Sequence, residues 1–130
     1  MFRRMCKSKI HRARVTDAKL DYTGSITLDA RLMEAASLLP YEMVLIHNVA
    51  NAARWETYVI RGEAGSGVVC LNGPPARLFQ PGDEIIVLSF QFCSEGEIAE
   101  LAPRVVFVDP ANRVVETRVD PSPLEPPAGG

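Results

Sequence analysis

Apolar and polar positions along this chain recur mainly with the two-residue period of β-strands. Residues 7 to 15 alternate, which predicts a strand with Lys9, His11, Ala13 and Val15 on one face and Ile10, Arg12 and Arg14 on the other. Ser25 to Leu28 reads as a second short strand, with Ile26 and Leu28 together on one side. Asp29 can cap a short helix running to about Leu39, because Leu32, Met33, Ala36 and Leu39 fall at helical spacing and Pro40 stands just beyond. Met43 to Ile46 is a continuous apolar run, as in a strand buried on both faces, and Asn48 to Ala53 is a polar turn before a strand from Arg54 to Arg61. Turns at residues 62 to 67, at Asn72-Gly73-Pro74-Pro75 and at Pro81-Gly82-Asp83 flank strands at Val68 to Leu71 and Glu84 to Phe92, with one helical turn at Ala76 to Phe79. Residues 104 to 108 and 113 to 118 read as a hairpin around Asp109-Pro110-Ala111-Asn112. Short strands at this spacing, with two brief helices, predict an all-β chain folded as a small closed β-barrel.

Length and composition narrow the picture. A chain of 130 residues is expected to form one domain, here residues 1–118, followed by a Pro/Gly-rich stretch at 119–130 too poor in burial to order itself. The 14 basic and 16 acidic side chains nearly cancel, which gives no electrostatic case for nucleic acid or an anionic membrane. Met1 to Lys7 has charges without an apolar stretch behind them, and no later run is long enough to span a bilayer, so the expectation is a cytoplasmic protein. Cys6, Cys70 and Cys93 are odd in number and widely spaced, and His11 and His47 stand alone, so neither a disulfide framework nor a metal site is expected.

The candidate chemistry begins at Gly24-Ser25. A serine hydroxyl can attack the preceding carbonyl carbon and turn the amide into an ester, and a glycine there leaves the carbonyl unshielded. Elimination across the serine then splits the chain and leaves dehydroalanine, which hydrolyses to a pyruvoyl group. Gly-Ser alone is usually an ordinary turn, so the pair gains weight only from its surroundings. Those surroundings are Lys9-Ile10-His11-Arg12, Asp21-Tyr22-Thr23-Gly24-Ser25, Asn51-Ala52-Ala53-Arg54 leading to Thr57-Tyr58, Val69-Cys70-Leu71-Asn72-Gly73, and Pro81-Gly82-Asp83 before an apolar strand. In this order they resemble aspartate 1-decarboxylase of the pyruvoyl-dependent type, from the N-terminus to about Val108.

The resemblance implies a six-stranded double-psi β-barrel cleaved into residues 1–24 and 25–130. It implies a homotetramer of four small and four large chains with sites between subunits, and decarboxylation of L-aspartate to β-alanine and carbon dioxide for pantothenate synthesis. Ser25 would supply the covalent pyruvoyl cofactor, whose ketone forms a Schiff base with the substrate amine and takes up the electrons released on decarboxylation. Arg54 offers a fork of donors for a substrate carboxylate. Tyr58 lies four residues on and on the same strand face. It carries a phenol, a group that ordinarily holds its proton up to about pH 10, and is by resemblance the proton donor. Thr57 belongs to the family's substrate contacts yet alternation turns it to the opposite face, which requires either a bulge or a site shared between subunits. Asn72 is either a turn former or a donor polarising a carbonyl, Tyr22 accompanies the cleavage site, Lys9 adds positive charge for a diacid, and His11 supports processing.

One departure stands out. The family usually carries small residues with free N–H groups after Asn-Gly, and Pro74 and Pro75 stand there in this chain. A hydrogen bond to a charged group is worth about 1.5 to 3 kcal/mol, so the expectation is weakened substrate binding, with Arg54, Lys9 and the Gly73 amide carrying more of the load. Two rival readings remain: a non-processing β-barrel binding module in which Ser25 stays a serine, and hydrolysis by a Ser25/His11 pair, for which no acid is placed to orient the imidazole.

Overall fold

Val15 and Thr16 join two distant parts of the chain, Val15 N–H donating to the Asp83 carbonyl at 2.9 Å and Thr16 N–H to the Val69 carbonyl. The computed structural model describes residues 1–126. Its strands are β1 (Phe2–Arg14), β2 (Asp17–Lys19), β3 (Ser25–Asp29), β4 (Met43–Asn48), β5 (Arg54–Gly62), β6 (Val69–Asn72), β7 (Glu84–Ser94), β8 (Arg104–Val108) and β9 (Val114–Val119), with one α-helix, α1 (Ala30–Ala35), and two 3-10 turns at Pro74–Arg77 and Ile98–Glu100. The strands lie in the order β2-β6-β3-β5-β4-β7-β1-β8-β9. The pairs β1/β8, β2/β6 and β3/β5 are parallel and the rest antiparallel.

The chain is all-β as expected, but its hydrogen bonds do not draw a closed six-stranded ladder. Nine strands form one open sheet with β2 and β9 at its edges. From β6 round to β1, six strands curl so far that the chain leaving β1 meets β6 again. There Thr16 N–H donates to the Val69 carbonyl at 2.8 Å, and the Thr16 hydroxyl bonds both polar groups of the Val69 backbone. Inside the curl lies one apolar core built from Ile10, Ile26, Leu28, Ile46, Val59 and Leu71, plugged by Phe79 and by Leu32 and Met33 of α1. Among the described residues no helix is long and apolar enough to cross a membrane.

Several local expectations change, each for an identifiable reason. Two bulges interrupt β1, between Cys6 and Ser8 and between His11 and Ala13, and Arg12 takes φ 61° at the second. The extra residue reverses the alternation, so Lys9 and His11 face outward while Ile10, Ala13 and Val15 enter the core. The helix is capped by Asp29 but ends at Ala35, because Ser37 adopts φ 57°, and Leu39 is left exposed. The Met43–Ile46 run alternates instead of burying both faces: Val44 and Ile46 are buried and Met43 is exposed. The helical turn comes two residues early, at Pro74–Arg77. At the C-terminal end Val119 pairs with Arg104, and Asp120 N–H donates to the Pro103 carbonyl at 2.8 Å. Residues 127–130 of the expected tail lie outside the described residues.

Asp29 ties the end of β3 to the loop before β6. Its buried carboxylate caps α1 through Arg31 N–H at 2.8 Å and accepts from Gly65 N–H at 3.0 Å and Gly67 N–H at 2.8 Å. Burial pushes the carboxyl up, but the three backbone donors and the Arg31 charge outweigh it and hold it below its ordinary value. A depressed carboxyl contributes stability that is present above the unfolded-state pKa of about 3.9 and is lost as pH falls through the folded value. Asp29→Ala strands three donors and is expected to cost about 3 kcal/mol at pH 7. Urea denaturation of both proteins at pH 7 and at pH 3 checks this, with the gap shrinking at the lower pH.

Candidate functional site

The placement of Ser25 follows from its strand. Ile26 and Leu28 are fully buried in the core, so the two-residue period turns Ser25 and Thr27 to the outer face. Cross-strand partners share a face, and three registers align a row there. Lys19 is level with Asn72 and Asn72 with Ser25, and the β3/β5 register, Ile26 opposite Val59, carried back one residue sets Ser25 level with Tyr58. Lys19, Asn72, Ser25 and Tyr58 thus stand side by side on β2, β6, β3 and β5, each about 4.8 Å from the next across the sheet.

Hydrogen bonds fix the centre of the row. Asn72 Nδ2 donates to Ser25 Oγ at 2.9 Å and to Thr27 Oγ1 at 3.0 Å, while the Cys70 thiol donates to Asn72 Oδ1 at 3.3 Å. Both amide hydrogens and one oxygen lone pair are therefore committed, which holds the carboxamide in one orientation with its N–H aimed at the serine. Ser25 is 1% exposed and Asn72 6%, so this network is shielded from water. Burial and the nearby Asp17 push the Cys70 thiol up, against a smaller pull down from Lys19.

The residue before Ser25 is packed by its neighbours. Gly73 takes φ 80° and ψ −148°, and a Cβ on it would lie 2.7 Å from the Gly24 Cα and 2.9 Å from the Tyr22 carbonyl oxygen. The two glycines thus press backbone to backbone beside the Gly24–Ser25 peptide. Gly73 N–H, the amide that the sequence reading offers to a substrate carboxylate, donates to the Lys19 carbonyl at 2.8 Å. Pro74 and Pro75 occupy the first two positions of the 3-10 turn, where a missing N–H leaves no intrahelical bond unmade. Residues 73 to 75 therefore offer no unengaged backbone donor.

The other expected residues divide. Tyr22 is exposed, with Lys19 Nζ 5.0 Å from its ring centroid. Tyr58 is half-buried beside Tyr41, ring centroids 6.1 Å apart. Thr57 is buried on the core face, opposite Val44 in a β4/β5 register without a break, so a bulge does not bring it round to Tyr58. Arg54 shares the face of Tyr58 but lies four residues, about 13 Å, away along β5. It belongs to a second row, Arg54 level with His47, His47 with Ile86, and Ile86 with His11. Lys9 and His11 are on β1, four strands from β3, about 19 Å along the sheet. His11 meets Phe107 edge-on at 5.6 Å, and burial, then Lys9 and Arg12, lower its pKa from the ordinary value.

Three residues of this arrangement escape the sequence reading: Lys19, Thr27 and Cys70. Thr27 and Cys70 lie two residues from Ser25 and Asn72 on their strands, so strand period alone puts them on the same face. Lys19 carries no such signal, because β2 has only three residues and no apolar alternation.

A profile of the family described as aspartate decarboxylase matches residues 1–115. The aspartate 1-decarboxylase of Pelotomaculum thermopropionicum is 56% identical over 118 residues, covering 91% of this chain and 89% of that protein. The aspartate 1-decarboxylase of Dehalococcoides mccartyi is 52% identical over 114 residues, covering 88% of this chain and 92% of that protein.

The glycine contact yields a sharp expectation. Gly73→Ala must strain a backbone conformation that side chains avoid and must also displace Gly24, at a combined cost of about 1 to 3 kcal/mol. Its thermal midpoint is expected to fall by roughly 3 to 10 °C, whereas Gly82→Ala, at φ 94° but with nothing within 4 Å of the added carbon, falls less. Calorimetry of the two variants separates steric overlap from backbone strain.

Proposed function

The chain belongs to the aspartate decarboxylase family, enzymes of the carboxy-lyase class, and from that membership we propose that it cuts itself between Gly24 and Ser25 and removes the α-carboxylate of L-aspartate, giving β-alanine and carbon dioxide. The observation that carries this reading is the buried Ser25 hydroxyl, fixed by Asn72 at 2.9 Å, one strand from Tyr58 and next to a glycine carbonyl. β-Alanine is then the product supplied to pantothenate synthesis.

In self-processing, Ser25 Oγ adds to the Gly24 carbonyl carbon, the Gly24–Ser25 C–N bond breaks, and the hydroxyl proton ends on the nitrogen, leaving an ester. Elimination removes the Ser25 Cα proton and breaks the Cβ–Oγ bond, so Oγ departs as part of the Gly24 carboxylate. The Asn72 N–H already points at that oxygen and stabilises the charge developing on it. Burial matters as much, because water reaching the ester would hydrolyse it and restore a serine. Hydrolysis of the resulting dehydroalanine releases ammonia and leaves a pyruvoyl group at residue 25.

The residues present fit such a group. Asn72 donates to the side chain at residue 25, and its other partners, Thr27 and Cys70, are neutral polar groups. The ketone supplies an electron sink linked to the substrate amine. Tyr58 places a phenol on the same face, one strand away, as the donor to the carbon that loses carbon dioxide.

We propose further that the working particle is a homotetramer, four small and four large chains, with each site completed by Arg54, Lys9 and His11 of a neighbouring copy. Within one chain Arg54 lies about 13 Å along β5 from Tyr58, and Lys9 and His11 stand on β1, outside the Ser25 row. The exposed Tyr41, Met43 and Ile60 around Tyr58 form the apolar surface that such a neighbour would cover. We also take the fold to be the family's six-stranded double-psi barrel of residues 1–118, which the Thr16–Val69 bonds support.

Intact mass of aged protein tests the reading. The expected species are residues 1–24 and a pyruvoyl-headed chain from residue 25, with Ser25→Ala remaining uncut. A single full-length species with an ordinary serine would instead establish a barrel that does not process.

Tyr58→Phe should still cleave but decarboxylate roughly 100 to 10,000 times more slowly, since only protonation of carbon requires the phenol. Turnover within a few-fold of wild type, on fully cleaved protein, would remove Tyr58 from the mechanism.

A further inference from the structure

The row across β2, β6, β3 and β5 has a cation at one end and a phenol at the other. Lys19, on β2, is the residue in register with Asn72, which in turn is in register with Ser25. It is exposed, it has no ion-pair partner among the described residues, and its ammonium lies 5.0 Å from the Tyr22 ring centroid, on the loop that leads to Gly24. Its carbonyl is already engaged, accepting from Gly73 N–H at 2.8 Å and Tyr22 N–H at 3.3 Å. The backbone of Lys19 therefore builds the loop while its side chain is left over.

We propose that Lys19 is a substrate-binding residue, its ammonium holding the carboxylate that aspartate keeps through the reaction. This rests on the reading of Ser25 given above. Four observations lead to it. The nearest backbone offers no alternative, because Gly73 N–H is used and Pro74 and Pro75 have none. Arg54 lies four residues along β5 from Tyr58 and Lys9 is level with Leu88 on β1, so Lys19 is the cation of the same chain whose register reaches Ser25. The charge of Lys19 is felt at Cys70, on the same face as Ser25. Asp17, level with Cys70, is occupied in accepting the Ala18 N–H and makes no ion pair with it.

Order within the row selects which carboxylate. Tyr58 and Lys19 lie on opposite sides of Ser25. The carbon to be protonated must face Tyr58, so the remainder of the diacid extends toward Lys19. A cation on the departing carboxylate would stabilise charge that the reaction removes, whereas one on the retained carboxylate binds ground state and transition state equally. Loss of Lys19 should therefore appear in KM and not in kcat.

The test compares wild type, Lys19→Met and Lys19→Arg, each brought to full cleavage as judged by mass. Lys19→Met should raise KM for aspartate roughly tenfold. Its kcat should stay within about twofold, the inhibition constant of succinate should rise in parallel with KM, and Lys19→Arg should restore both. Unchanged KM and succinate inhibition in Lys19→Met would overturn the proposal, as would a defect confined to the rate of cleavage, which would make Lys19 a support of the loop. A wild-type chain that neither cleaves nor turns over would overturn the proposed function along with it, so the two failures are distinguishable.

Discussion

The register of β3 between β6 and β5 is the constraint on which the site depends. A slip of one residue would exchange Ile26 and Leu28 with Ser25 and Thr27, placing hydroxyls in the core and isoleucine and leucine outside. Burying two large aliphatic side chains stabilises the register by about 1.5 to 3 kcal/mol each, so the core selects the face on which the serine stands. The same registers then deliver Asn72 from β6 and Tyr58 from β5 without any further device. Apolar residues that take no part in the chemistry thus aim the polar ones.

How much of this was legible in the sequence depends on whether a signal was local. Strand period gave the all-β class, the placement of Ile26 and Leu28, and the shared face of Arg54 and Tyr58. It misassigned the faces of β1, because a bulge at Arg12 is a tertiary accommodation with no mark in the alternation of Lys9, His11 and Ala13. The helix was overextended for a related reason: Leu39 keeps helical spacing, but Ser37 in a left-handed conformation ends the element first. Motifs brought Gly24, Ser25, Asn72, Gly73 and Tyr58 to notice, and in the fold these are neighbours. Lys9, His11 and Arg54 belong to the same motifs yet stand outside the Ser25 row, because sequence order says nothing about distance around a curled sheet. The nine-stranded order itself rests on three parallel pairings, which depend on long-range crossovers that no local window contains.

The Gly73-Pro74-Pro75 segment shows how one local choice redirects recognition. Amides at the start of a helical turn ordinarily present unengaged N–H groups to an anion. Here two are absent and the third is consumed by the Lys19 carbonyl. In return, proline fixes its own φ near about −65° and lowers the entropy lost in ordering the turn. That stiffness falls where Gly73 presses on Gly24, so the backbone just before Ser25 is held against a rigid wall. The consequence is that side-chain cations must balance negative charge that backbone donors could otherwise share.

In the proposed function, burial of Ser25 favours self-processing and obstructs decarboxylation, since a substrate must reach the atom from which water is kept. The chain resolves this in how it anchors the segment before the cut. Residues 17 to 19 are held by a ladder to β6, whereas between Lys19 and Ser25 one backbone bond, from Tyr22 N–H to the Lys19 carbonyl at 3.3 Å, restrains the chain. Leu20 and Tyr22 are exposed and bury little to oppose movement. With the Gly24–Ser25 bond cut as proposed, the Gly24 carboxylate would have no covalent tie to Ser25, and only the Tyr22 N–H bond and the packing against Gly73 would restrain the segment. Lys19 is the last residue of that segment held in the sheet, and its exposed side chain belongs to the Ser25 row.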